Sequence, residues 1–108
     1  MSQQQKLQAL SDEYSSLQTE LTTLVQARQK LESQQQENKS VQKEFSTLSD
    51  SANIYKLVGP VLLKQDTTEA KSTVDGRLEY IGSEIKRVEG SIKEVQEKSE
   101  GKKMEVCV

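Results

Sequence analysis

Tyr14, Tyr55, Tyr80, the thiol of Cys107 and acidic pairs such as Asp12-Glu13 are the side chains of this sequence with reactive chemistry to offer. A phenol or thiol becomes a nucleophile when a neighbouring base draws off its proton. The 108 residues contain no histidine, and no other activating group is patterned beside the three tyrosines. Packing accounts for Tyr14 and Tyr55, while Tyr80, next to Ile81, is expected to be half-exposed. Asp12-Glu13 lacks the alternating oxygen ligands of a calcium loop. One cysteine and no histidine leave no zinc set. Cys107 can form no internal disulfide, which suits a reducing compartment, and it reads as an unremarkable terminal thiol. The sequence therefore predicts no catalytic residue, no cofactor and no metal, and a protein that is not an enzyme.

The composition says what kind of body these residues belong to. Hydrophobic residues make up 32% and charged residues 30%, with one Phe and no Trp. That is too little apolar volume for a compact single-chain globule of this length. A disordered chain, an elongated helical protein or a subunit that completes its core with partners remain. A net charge of −2 offers no basic face to nucleic acid. No apolar run is long enough to span a membrane. Met1 to Lys6 carry no apolar signal region, and no cysteine stands four from the end for prenylation, so the cytoplasm is the expected location.

Residues 1–50 contain neither Gly nor Pro and read as one helix. Leu7, Leu10, Tyr14, Leu17, Leu21 and Leu24 recur in alternating steps of three and four, the seam of a coiled coil. Arg28 and Leu31 continue it. Glutamines then dilute the pattern until Val41, Phe45 and Leu48. With Gln35, Asn38 and Val41 all in the seam, two successive steps of three predict a local overwinding. Residues 66–108 read as a second helix, opened by Asp66-Thr67-Thr68-Glu69, a variant of the capping box. Val74, Leu78, Ile81, Ile85, Val88, Ile92 and Val95 follow at heptad spacing, with Leu78, Ile85 and Ile92 at a and the others at d. Beyond them come Ser99, Lys102 and Val106, where hydrophobic pairing is expected to fail.

Between the helices, residues 51–65 hold the only proline and a dense apolar cluster: Ile54, Tyr55, Leu57, Val58, Val61, Leu62 and Leu63. Gly59-Pro60 splits it into two short runs and suits a type II′ turn, predicting a β-hairpin. Apolar side chains on both faces require cover on both faces, and one hairpin is not stable alone in water. The hairpin must therefore meet other chains. The fold class is mainly α: one domain over 1–108, a long antiparallel two-helix coiled coil joined by a central β-hairpin. Folding back about the hairpin pairs residues whose numbers sum to about 116. Leu24 then lies near Ile92 and Leu21 near Val95, while Gln35 and Asn38 meet Ile81 and Leu78. The same register sets Leu17, Tyr14 and Leu10 against Ser99, Lys102 and Val106. Apolar side chains of the first helix are thus left incompletely covered.

The run Ile54-Tyr55-Lys56-Leu57-Val58-Gly59-Pro60-Val61-Leu62-Leu63-Lys64-Gln65, central between two coils, resembles the β class of prefoldin subunits. Arg77-Leu78-Glu79-Tyr80-Ile81 and Glu84-Ile85-Lys86-Arg87-Val88 are similar to that family's second helix, while Gly76 and Gly82 depart from its usual helix formers. The resemblance implies a heterohexamer of two α-class and four β-class subunits, so that the partners are two α-class and three further β-class chains. Each β-class hairpin completes an intersubunit β-barrel, which assigns assembly to Ile54, Tyr55, Leu57, Val58, Val61, Leu62 and Leu63. The resemblance further implies holding of unfolded nascent proteins, chiefly actin and tubulin, at the far ends of the coils, and their delivery to the cytosolic group II chaperonin without ATP. Leu7, Leu10, Tyr14, Leu17, Met104 and Val106 are the expected client contacts. The competing reading is a structural coiled-coil adaptor or tether, which needs only a short turn where this chain carries an apolar cluster.

Overall fold

The computed structural model describes the backbone of residues 2–49 and 60–107, and the side chains of residues 2–47 and 68–107. Two helices make up the described residues: α1, Gln3–Ser49, and α2, Pro60–Cys107. α1 opens on a reciprocal cap. The Gln5 backbone N–H donates to Ser2 Oγ (3.1 Å), and the Ser2 backbone N–H donates to the Gln5 side-chain oxygen (3.0 Å). The Lys6 N–H then donates to the Ser2 carbonyl at 3.0 Å, the first bond of the helical ladder. Ser-x-x-Gln is a capping-box spacing, legible in the sequence but concealed there by the polar run around it.

α2 starts six residues earlier than its expected Asp66 cap. Pro60 stands at the first helical position, where its missing N–H is not needed and its fixed φ already matches the helix. Asp66 to Glu69 consequently lie inside α2. Val61, Leu62 and Leu63, expected in the second strand, also lie on α2. A two-stranded ribbon with no cover is marginal, and in the single chain the helix takes these residues instead. Ile54, Tyr55, Leu57 and Val58 fall outside the described residues.

The heptad assigned to α2 is the one observed. Its d residues Val74, Ile81, Val88 and Val95 are buried together with Ile92, and Val88 is only 3% exposed. Leu78 and Ile85 are half-buried. The seam of α1 departs from expectation at one point. Val41 is 39% exposed, while Gln42 beside it is half-buried. Gln35, Asn38, Gln42 and Phe45, all half-buried, therefore continue the alternating steps of Leu24, Arg28 and Leu31 without a break. No overwinding is needed. Heptad continuity of a 47-residue helix outweighs the hydrophobicity of one valine.

The chain forms two compact units. The first comprises Met1–Lys30 and Ile85–Val108. In it Val88, Ile92, Val95 and Ser99 are buried on α2, and Leu10, Tyr14, Leu17, Leu21 and Leu24 are half-buried on α1. On the outer side of α1 the hydroxyls of Thr19, Thr22 and Thr23 donate back to the carbonyls of Ser15, Gln18 and Thr19. They thus satisfy themselves within the helix. The second unit, Leu31–Glu84, buries Val74 and Ile81 against the largely polar seam of α1. Asn38 Nδ2 turns to its own helix and donates to the Gln34 carbonyl (2.7 Å), whereas Gln42 Nε2 crosses to Asp75 Oδ1 (2.9 Å).

Candidate functional site

The first unit carries the apolar residues expected to contact client. Leu7 is 49% and Met104 63% exposed, while Leu10, Tyr14, Leu17 and Val106 are half-buried. Three open clefts run along these positions. Glu13, Ser16, Leu17, Lys98 and Lys102 line one of about 310 Å³. A second, of about 180 Å³, lies between Ser11, Tyr14, Lys103, Val106 and Cys107. The third, about 360 Å³, has Leu7, Leu10 and Val106 as its apolar lining, with Gln3, Lys6 and Glu105 around them. Every expected contact except Met104 thus lines a cleft, and Met104 stands free on the surface.

Polar contacts also join the helices here. Ser99 is 4% exposed, and its Oγ accepts a hydrogen bond from Gln18 Nε2. Lys102 Nζ pairs with Glu13 Oε2 at 2.9 Å and lies 3.8 Å from Glu105 Oε2. The hydrogen bond that Lys102 donates to Glu13, then the charges of Glu105 and Glu13, hold the ammonium above the ordinary lysine range, against the opposing effect of desolvation. Beyond Val95 the helices thus remain paired through polar side chains. Gln18–Ser99, Glu13–Lys102 and, in the other unit, Gln42–Asp75 all lie within a residue of the register expected from the fold-back.

Gln18, Glu13, Gln42 and Asp75 were not among the predicted site residues. Their signal was the register itself: once the seam is aligned, the polar residues flanking it fall opposite one another. The remaining chemical candidates are dispersed. Tyr80 is exposed rather than half-exposed, Tyr14 is half-buried in the seam, and Cys107 is an exposed free thiol. Among the described residues no cluster of acidic or cysteine side chains is arranged to hold a metal ion. No helix among them is long and apolar enough to cross a membrane.

Comparison with known proteins decides the family. The family described as prefoldin subunit matches residues 8–106, nearly the whole chain. The chain belongs to the prefoldin subunit family. It is 43% identical over 97 residues to prefoldin subunit 6 of Bos taurus, covering 90% of this chain and 75% of the relative. Prefoldin subunit 6 of Saccharomyces cerevisiae is 45% identical over 97 residues, 90% of this chain and 85% of the relative. The Arabidopsis thaliana protein of the same name is 38% identical over 100 residues, 93% of this chain and 78% of the relative. No solved structure matches. The resemblance read from the central apolar run and the second helix is thus the correct one. Two long helices in a coiled coil agree with a prefoldin subunit, and prefoldin subunits are chaperones, not enzymes.

Proposed function

We propose that this prefoldin chaperone subunit is a β-class member of an ATP-independent heterohexamer with two α-class and three other β-class subunits. The complex holds unfolded nascent proteins such as actin and tubulin in the cytoplasm and delivers them to the group II chaperonin. The observation that carries the reading is the apolar surface of the first unit: Leu7 and Met104 exposed, with Leu10, Tyr14, Leu17 and Val106 lining clefts. Accessible apolar side chains on an otherwise charged coil are what an unfolded chain can use. Clefts open on one side accept many sequences, as a chaperone requires.

Assembly falls to residues 51–65. In the hexamer, neighbouring strands supply the cover that a lone hairpin lacks, so Ile54, Tyr55, Leu57, Val58, Val61, Leu62 and Leu63 join an intersubunit barrel and the segment from Pro60 exchanges helix for strand. Leu57→Asp or Val61→Asp then buries a carboxylate without a partner and blocks the hexamer. Size-exclusion chromatography with light scattering reads this directly, and a normal hexamer refutes it. The client site is tested by changing Leu7, Leu10 and Leu17 to Ser together. The hexamer forms and suppression of actin aggregation falls; unchanged suppression would show that client binds elsewhere.

A further inference from the structure

The seam of α2 changes character where the expected client contacts begin. Val88, Ile92 and Val95 are buried and apolar; the next two seam positions are Ser99 and Lys102. Across from them α1 keeps its apolar spacing through Leu17, Tyr14, Leu10 and Leu7. An aliphatic residue at either α2 position would continue the dry seam and cover those side chains. The polar residues do something different. The short side chain of Ser99 covers little, yet it is buried and satisfied by Gln18, which holds the two backbones in register. Lys102 carries its charge outward to Glu13 (2.9 Å) and Glu105 (3.8 Å), so the pair is made at the rim of the seam. The clefts beside Leu17, Tyr14 and Leu10 are what this arrangement leaves open.

Resting on the client site proposed above, we infer that Ser99 and Lys102, with Gln18 and Glu13, are positioning residues. They fasten the helices by polar contacts and so keep Leu7, Leu10, Tyr14 and Leu17 available to client rather than to α2. A directional hydrogen bond and an ion pair fix alignment without consuming apolar surface, whereas an apolar seam does both at once.

The variant that tests this carries Ser99→Ile and Lys102→Leu in the full chain, assembled into the hexamer. Two readouts are taken. The first uses no client: spin labels on Cys107 and on Gln8→Cys report the separation of α1 and α2, and the double variant gives a shorter, narrower distance distribution than the unsubstituted subunit. The second places a photoreactive residue at Gln3, on the lining of the 360 Å³ cleft, and measures cross-linking to denatured actin. In the double variant the yield is lost to the level of the Leu7, Leu10 and Leu17 serine variant, while Lys102→Arg alone, which keeps a cation opposite Glu13, retains it. A double variant whose helices do not close, or whose helices close while actin still cross-links at the unsubstituted yield, overturns the inference. A serine variant that cross-links normally instead overturns the client site itself.

Discussion

Val41 and Gln42 offer a sharp test of which residues form the coil, because the sequence pattern and the structure assign the seam differently. Val41 is 39% exposed and Gln42 is half-buried, donating to Asp75 at 2.9 Å. Replacing Val41 by Glu in this geometry places a carboxylate at the water-exposed edge of the coil. It loses part of a valine's burial, about 0.5 kcal/mol, and regains a similar amount because Glu is the better helix former. The net change is within about 0.5 kcal/mol, or about two-fold in the opening equilibrium. Were Val41 in the seam, the same substitution would bury a charge with no partner, costing at least about 2 kcal/mol and raising opening about thirty-fold. Gln42→Leu provides the complement. Half of a leucine's burial adds about 1 kcal/mol, while losing an exposed hydrogen bond to Asp75 subtracts about 0.5 kcal/mol. Amide hydrogen exchange over residues 35–45 and 71–81 of the assembled subunit reads these local equilibria. Near-unchanged exchange with Val41→Glu and slightly slower exchange with Gln42→Leu are expected. A thirty-fold acceleration with Val41→Glu would refute the unbroken heptad.

Val88→Ala removes two methyl carbons from the most buried core side chain; at about 0.8 kcal/mol each plus a small cavity it destabilises the first unit by about 2 kcal/mol, seen as faster exchange over residues 85–95. Gly90→Ala acts oppositely: a methyl there meets nothing within 4 Å, so the helix gains about 1 kcal/mol and exchange across its turn slows. The Glu13–Lys102 pair depends on the lysine charge, and the folded form holds that ammonium above the ordinary lysine range. A raised value means the contribution is complete at neutral pH and is lost only as pH climbs through and beyond that range. The distance between labels on Cys107 and Gln8→Cys should therefore be unchanged between pH 7 and 9 and broaden in strong alkali. Molar salt should broaden it already at pH 7, because the pair is partly exposed and screened.

The two helices were legible because their evidence is redundant. In α2, seven seam residues from Val74 to Val95 repeat one period, so no single position decides the assignment. The register was legible for the same reason, since a fold-back near the middle of the chain admits few alignments of two such seams. Local competition was less readable. Pro60 served equally as a turn residue or as the first residue of a helix, and a ribbon apolar on both faces needs cover on both faces. Asp66 to Glu69 have the spacing of a cap, yet a cap starts a helix only where the preceding residues cannot continue it. Val41 is more hydrophobic than Gln42, yet a long helix keeps its phase across several turns, and the phase places Gln42 in the seam.

The candidate site reflects an asymmetry between the helices that composition does not reveal. Among the described residues every buried apolar side chain belongs to α2 and is Val or Ile, while Leu21 and Leu24 of α1, opposite Val95 and Ile92, remain half-buried. Short β-branched residues sit low against the partner helix and are covered by it. A leucine reaches past the seam, and a two-helix pair has no third element to close over its far methyls. The leucine-rich strip of α1 is thus accessible by construction wherever α2 lacks bulk beyond its own seam. At Ser99 and Lys102 even the seam loses its bulk, and there the strip opens into clefts. The same leucine spacing therefore has two structural outcomes: at Leu21 and Leu24 it faces the buried seam of α2, and from Leu17 to Leu7 it leaves apolar surface uncovered, which is the surface the proposed client site requires.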